Sequence, residues 1–546
     1  MSRERLTRRQ ALKGLGIAAA GALLAACQPK VVEKEKVVRE TVIVGGTPHV
    51  VEKVVTATPA PKPTPEIWIY RHAVDCPGGG NPEQTERVRK FILDHTGVKV
   101  NAYLTPAGTA AVEKLNMILA SATQPLDLFT SWPTGGWELF RSVILPLDDL
   151  LQQHGKNILR MYPELAWKMM KDVEGTTWGY PFGSPTADDG FIFFRSDWLQ
   201  EIGKPVPTTW WQETPVTWEE LEEVISAFRK AHPDSVAAIN GLGNLQTSTL
   251  GAFTEHGKSR WVDPADKMLK PFQLQPGFRE WVERMSRWWQ NGWLHKECFA
   301  NMDVTAVLKT LTVGTWLGYP PHICKTWDDI RKDAKYTKEN YIMIEQLRGP
   351  KGLAKVNSGG STTAYMLARK SKYPEAAIRY IDWVHEGLPK DVTAKATVRL
   401  GMEGHGWKWA DKEKGTYYDL RQFMKCEDKY GGEFAMHMAR CVERYGSPLN
   451  PDGTFKWSLE QIQKYVDRFD LGKNPVDMDV PYDLSRIRQK FPGVTDFERL
   501  LEEETIKFIT GMRPLSEWDA FLKQAEGAGL KEACQAYTEQ YRIYHP

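Results

Sequence analysis

The chain is poor in the short signatures that carry enzyme chemistry. Its 546 residues contain no G-x-S-x-G elbow and no H-E-x-x-H helix, which removes the commonest serine-hydrolase and zinc-protease arrangements. No D-x-D-x-D-G calcium loop occurs; Asn450-Pro451-Asp452-Gly453 alone is a turn. Gly251 to Ser259 (GAFTEHGKS) has one residue too many before its second glycine to be a nucleotide loop, and His295-Lys296-Glu297-Cys298 reads as a loop histidine beside a buried thiol. Seven cysteines are present but none is spaced C-x-x-C, so a zinc knuckle or thioredoxin-like motif is excluded. Basic clusters are absent beyond residue 30, and nucleic acid is therefore not an expected partner. No cofactor or metal is implied. The apolar run near the N-terminus is too short to span a bilayer as a mature helix.

What the chain does have begins with an address. Residues 1–26 carry Arg3, Arg5, Arg8, Arg9 and Lys13 against Glu4, which accounts for the whole of the net charge of +2 and leaves the remainder slightly acidic. A basic stretch followed by GLGIAAAGALLAAC has the order of a signal peptide. Thr7-Arg8-Arg9-Gln10-Ala11-Leu12-Lys13 resembles a twin-arginine export motif, with Ala11 where Phe is usual, so the general secretory route stays open. Leu24-Ala25-Ala26-Cys27 resembles a bacterial lipobox. The resemblance implies a diacylglyceryl thioether on Cys27 and an extracytoplasmic protein anchored at the outer face of the cell membrane. The other six cysteines are compatible with disulfides or with buried thiols, and the sequence does not choose.

Residues 27–65 are low in complexity, half-repeated (VVEKEKVV, then VVEKVV) and rich in proline at the end. They read as a tether, extended at most to roughly 125 Å at about 3.3 Å per residue, with Gly45-Gly46 able to close a small hairpin between two valine-rich arms. From Glu66 the pattern becomes strand–helix–strand–helix–strand: Ile67–Tyr70, a helix opened by Pro82, Val98–Leu104, a second helix, then Leu126–Phe129. This α/β alternation predicts a mainly parallel sheet with its crevice beyond the carboxyl ends of the strands. Thr217-Trp218-Glu219-Glu220 is a capping box opening a helix with Leu221, Val224, Ile225 and Phe228 inward.

Several segments together resemble family 1 extracellular solute-binding proteins of ABC importers, in the large lipoprotein branch associated with sugars and oligosaccharides. They are KLNMILASATQPLDLFTSW (114–132), GTTWGYPFGSPTADDGFIFFRSDWLQEIG (175–203), PVTWEELEEVISAFRKAHPD (215–234), KSKYPEAAIRYIDWV (370–384) with GMEGHGWKW (401–409), and FITGMRPLSEWDAFL (508–522). The Pro-Thr-Trp helix opening of the family occurs twice here, at 207–210 and 215–218. The resemblance implies a bilobal periplasmic-binding-protein fold over 66–546, two α/β lobes joined by three crossing strands near 181–190, 358–366 and 395–405. Lobe one would be 66–185 plus 360–400, and lobe two 186–359 plus 401–546. It further implies a monomer that captures a sugar or oligosaccharide and delivers it to a membrane permease. The alternative is a surface-anchored glycosidase or lyase with two carboxylates across the cleft.

The aromatic load, 21 Trp, 19 Tyr and 20 Phe, fits a sugar ligand, whose C–H faces stack on flat rings while its hydroxyls meet polar groups. In lobe one the candidates are Asp75 and Asn81 in the first strand's loop and Trp132 and Trp137 in SWPTGGWE. At the first crossing they are Tyr180, Phe182, Asp188 and Asp189. In lobe two they are Trp316 and Tyr319 in GTWLGY, and Glu403, Trp407 and Trp409 in the glycine-rich loop. Trp132, Trp316 and Trp407 are expected to line one cleft, and each position competes with plain packing. If Cys27 carries the anchor, Cys27→Ser moves the protein from the membrane to the soluble fraction on cell fractionation, with the body's melting temperature unchanged.

Overall fold

The computed structural model describes residues 35–44, 47–56, 63–72, 76–106, 109–131, 134–162, 164–181, 191–206, 211–212, 215–239, 241–300, 302, 304–318, 341–344, 347–353, 363–388, 390–413, 415–421, 424–436 and 484–545. Residues 1–26, with Arg8, Arg9 and the signal segment, lie outside them, as does Cys27. The chain divides into two compact units, 1–64 and 65–546. The first contains an antiparallel hairpin, β1 (Glu35–Val44) and β2 (Thr47–Thr56), in register from Val44↔Thr47 to Glu35↔Thr56. Gly45 and Gly46, between the two strands, lie outside the described residues. A segment folded back on itself spans far less than the extended limit.

The second unit opens with β3 (Glu66–Tyr70), helix α1 (Pro82–Thr96), β4 (Lys99–Ala102), α2 (Thr109–Ala120), β5 (Leu128–Thr130) and, later, β6 (Tyr180–Pro181). There follow β7 (Phe191–Arg195), β8 (Trp211–Gln212), α3 (Trp218–Ala231), β9 (Val236–Ile239), α4 (Phe278–Gln290), β10 (Val313–Gly318) and β11 (Tyr341–Ile344). The chain continues through β12 (Ala364–Leu367), α5 (Pro374–Val384), α6 (Thr393–Leu400) and the hairpin β13 (Trp407–Asp411) and β14 (Thr416–Asp419). Helices α7 (Val494–Thr510), α8 (Trp518–Gly527) and α9 (Leu530–Tyr544) close it.

Two five-stranded sheets result. The first runs β4-β3-β5-β12-β6: β4, β3 and β5 are parallel, and β12 is inserted antiparallel between β5 and β6. The second runs β9-β10-β7-β11-β8, with β7 antiparallel to both of its neighbours. Each sheet has its own core. Ile67, Ile69, Val88, Ile92, Leu128, Tyr365, Ile378 and Ile381 pack together on the first. Trp218, Leu221, Phe228, Trp281, Trp288, Phe508 and Trp518 pack on the second. The fold is bilobal α/β. The chain passes from first sheet to second between Pro181 and Phe191 and returns before Ala364.

The third passage differs from the sequence expectation. Residues 395–405 do not cross: α6 occupies the first half of that stretch, and Tyr430, Phe434, Ala435 and Met436 lie in the first lobe's core. Residues 401–436 therefore belong with the first lobe, because their apolar side chains are buried there, and the chain leaves it after Met436.

Local chemistry explains the helix boundaries. Asn81 caps α1 through its side-chain oxygen, which accepts from Gln84 N at 3.0 Å; Pro82 follows, and Gly97 (φ 67°) ends the helix in the left-handed region. The capping box at α3 forms as read: Glu220 N donates to Thr217 Oγ1 at 3.1 Å, and Thr217 N donates to Glu220 Oε2 at 2.8 Å. Its apolar face, Trp218, Leu221, Val224, Ile225 and Phe228, is buried. Thr217→Ala removes the cap oxygen and lowers stability by about 1 kcal/mol, read as a reduced urea midpoint with an unchanged slope.

Candidate functional site

The carboxyl ends of the parallel strands in the first lobe hold a set of buried polar groups. β3 runs into Arg71, 6% exposed, whose Nη1 donates to Gly432 O at 2.8 Å. Its own carbonyl accepts from Thr105 Oγ1 at 2.7 Å. β5 runs into Ser131, fully buried, whose Oγ accepts from Ala364 N at 2.9 Å and so ties β5 to β12.

Beyond Arg71 the chain meets a distant strap, residues 424–436. Cys76 and Cys426 are joined by a disulfide across 350 positions, their Cα atoms 5.5 Å apart. Asn81 N donates to Lys429 O at 2.7 Å and Asn81 Nδ2 to Glu427 O at 2.7 Å, while Gly80 N donates to Glu433 Oε1 at 2.7 Å. The two backbones approach so closely that a Cβ at Gly80 would sit 2.4 Å from Gly431 N and 2.5 Å from Lys429 O; only glycine fits. Glu433 is 4% exposed and its Oε2 is buried without a hydrogen-bond partner. Arg71, Glu433 and the Cys76–Cys426 pair were missed by sequence reasoning. The signal available was the two glycine runs, Gly78-Gly79-Gly80 and Gly431-Gly432, which flag close approach without naming the partner.

The named candidates fall into three groups. Asp75, Trp132, Phe182, Asp188, Asp189 and Tyr319 lie outside the described residues. Asn81 is half-buried and its amide is engaged at both ends, as helix cap and as strap contact. The rest, apart from the exposed Glu403, are dominated by packing. Trp137 is buried, donates Nε1 to Met169 O at 2.9 Å and stacks on Trp178 at 6.4 Å. Tyr180 is buried, stacks on Tyr365 at 5.1 Å and donates its hydroxyl to Met436 O at 2.8 Å; burial holds its phenol well above the ordinary value.

Trp316 is fully buried in β10, opposite Phe193 of β7 and on the sheet face away from Leu317. Trp407 is also fully buried, but in the first lobe, among Leu388, Val392, Ala396 and Leu400. Half-buried Trp409 meets Trp407 edge-on at 5.3 Å, and Glu403 is exposed in the preceding turn. Trp316 thus lies in the second lobe and Trp407 in the first, not in the second as expected, each fully buried, while Trp132 lies outside the described residues. A ring that buries 150–250 Å² is fully used by packing when no face is left to solvent.

Nor is there an activated thiol among the described residues. Burial pushes Cys298 up to about 12 and Cys534 up to about 11, which keeps both protonated and inert. No cluster of three or more His, Cys, Asp or Glu able to hold a metal occurs among the described residues.

No family model matches the sequence, and no curated protein matches it. Solved structures do. The alginate-binding protein AlgQ2 shares 17% identity, covering 88% of this chain and 98% of its own, at a TM-score of 0.59. An extracellular solute-binding protein from Bifidobacterium longum subsp. infantis shares 16%, covering 90% and 100%, at 0.60. The ABC-transporter substrate-binding protein FusA of S. pneumoniae, in complex with fructo-nystose, shares 18%, covering 88% and 99%, at 0.58. The chain has the solute-binding-protein fold. In that fold Trp316 is part of a central strand, and Trp316→Ala costs about 3–5 kcal/mol of stability, measured by chemical denaturation; a loss below about 1 kcal/mol would return Trp316 to the ligand candidates.

Proposed function

We propose that the protein is an extracytoplasmic substrate-binding lipoprotein that captures a sugar or oligosaccharide between its lobes and hands it to an ABC permease. The observation that carries this reading is the end-to-end likeness to proteins described as binding alginate, human-milk oligosaccharides or fructo-oligosaccharides, over 88% of this chain. Two separate cores suit capture by hinge closure, since ligand contacts made by both lobes stabilise the closed form that a permease recognises.

Placement outside the cytoplasm is supported by the Cys76–Cys426 disulfide, which persists in oxidising compartments. No helix among the described residues is long and apolar enough to cross a membrane, so attachment falls to the lipobox and Cys27. In our reading the protein acts as a monomer. The ligand contacts come from the loops beyond the strands, Asp75, Trp132, Phe182, Asp188, Asp189 and Tyr319. Asn81, Glu403 and Trp409 are secondary candidates, since each retains some exposure. Trp137, Tyr180, Trp316 and Trp407 act behind them as packing.

A thermal-shift screen of the mature body against mono- and oligosaccharides tests the reading. A ligand held only by the folded state adds about 2.7 kcal/mol at a hundredfold excess over Kd and raises the melting temperature. Alginate, fructo- and milk-type oligosaccharides that all leave the melting temperature unmoved would count against a carbohydrate ligand.

A further inference from the structure

The strap 424–436 has two halves held by different means. In the inner half, residues 430–436 are all buried. Tyr180 and Tyr380 donate their hydroxyls to Met436 O and Phe434 O, each at 2.8 Å, and Arg71 donates to Gly432 O. In the outer half, residues 425–428 are exposed, and apolar burial contributes little there. The links that hold that half include the disulfide, the two bonds from Asn81 to Lys429 O and Glu427 O, and a contact of His405 Nε2 with Asp428 O at 3.0 Å. The disulfide itself is asymmetric: Cys76 is fully buried, whereas Cys426 is exposed and open to an attacking thiolate.

We propose that Cys76–Cys426 is a redox-sensitive latch on the loop that leaves β3. The reductant is an external dithiol. One of its thiolates attacks Cys426 Sγ, forming a mixed disulfide while Cys76 leaves as a thiolate and takes a proton. The second thiol then closes the reductant's own disulfide and releases Cys426, so two electrons pass to the protein. With the bond broken, residues 424–429 detach from loop 76–81. The inner half and the first-lobe core stay in place, because their bonds and burial do not involve sulfur. Asn81 couples the event to α1, since the amide that meets Glu427 also caps that helix. The released loop is the one following Asp75, so the latch controls the order of one wall beyond the strand ends. This inference does not depend on the identity of the ligand.

Amide hydrogen exchange on the mature chain, oxidised and after dithiothreitol, tests it, with alkylation counting the new thiols. The expected result is two new thiols, with exchange at Asn81, whose N–H meets Lys429 O, at least about tenfold faster and exchange at Gly80, whose N–H meets Glu433 of the inner half, and in β3 and β12 unchanged. Cys426→Ser should show the same local pattern without reductant. Unchanged exchange at Asn81 would overturn the latch. So would resistance of the bond to dithiothreitol, or acceleration spreading through β3 and β12, which would make the disulfide a staple of the whole lobe.

Discussion

The first lobe depends on how residues 430–436 are received into it. This strap carries backbone carbonyls into an apolar core, where an unpaired carbonyl costs more than the bond that would satisfy it gains. Buried phenols supply the donors: Tyr180 to Met436 and Tyr380 to Phe434, while the strap's own Tyr430 donates to Val398 O of α6 at 3.0 Å. Burial drives all three phenols above their ordinary value, so the hydroxyls remain protonated and keep donating. Arg71 adds a charged donor at Gly432, and that ties the end of β3 to the same strap. The first strand of the sheet and the last segment of the lobe are thereby fixed to one another, although some 360 residues, with much of the second lobe among them, separate them in sequence.

This use of tyrosine bears on the aromatic composition. Abundant rings fit a sugar-binding surface, yet many of the described rings are spent on cores and on hydrogen bonds within the protein. Trp281 donates to Thr249 Oγ1 at 2.8 Å, Trp288 to Glu222 Oε1 at 2.9 Å and Trp137 to Met169 O. A large protein with two sheets, each covered by helices, needs bulky residues to fill both layers. Composition alone does not separate that demand from ligand stacking. Among the named candidates in the described residues, Asn81, Glu403 and Trp409 keep some exposure.

Local chemistry was readable in the sequence, and long-range pairing was not. The capping box at Thr217, the inward face of α3, the strand at Ile67–Tyr70 and the pairing of 35–44 with 47–56 each depend on residues close to one another in sequence. The insertion of β12 between β5 and β6 depends on none: its four residues, AYML, are apolar without alternation because all four are buried in the sheet. The same blindness put 401–436 in the second lobe. A glycine-rich loop signals close approach but not to which surface, and the facts that decide it are the disulfide to Cys76 and the burial of Phe434. In the loop after β3 the sequence pointed to Asp75 and Asn81, while Arg71 and Glu433 were missed because their partners lie some 350 positions away.

Independent cores leave the lobes free to move if the contacts between them are weak. Those that link the end of α9 and the helix Leu484–Lys490 to the first lobe are polar. Lys168 Nζ donates to Tyr544 O and Tyr544 OH to Lys171 O, each at 2.9 Å, and Arg486 pairs with Glu174. The ion pair is partly exposed, and such pairs contribute about 0–1 kcal/mol each. Water can replace these partners as the lobes rotate, so rearranging them costs little, whereas opening either core would expose tryptophan and isoleucine. By these contacts, displacing one lobe against the other costs less than opening either core, the division that hinge closure would need.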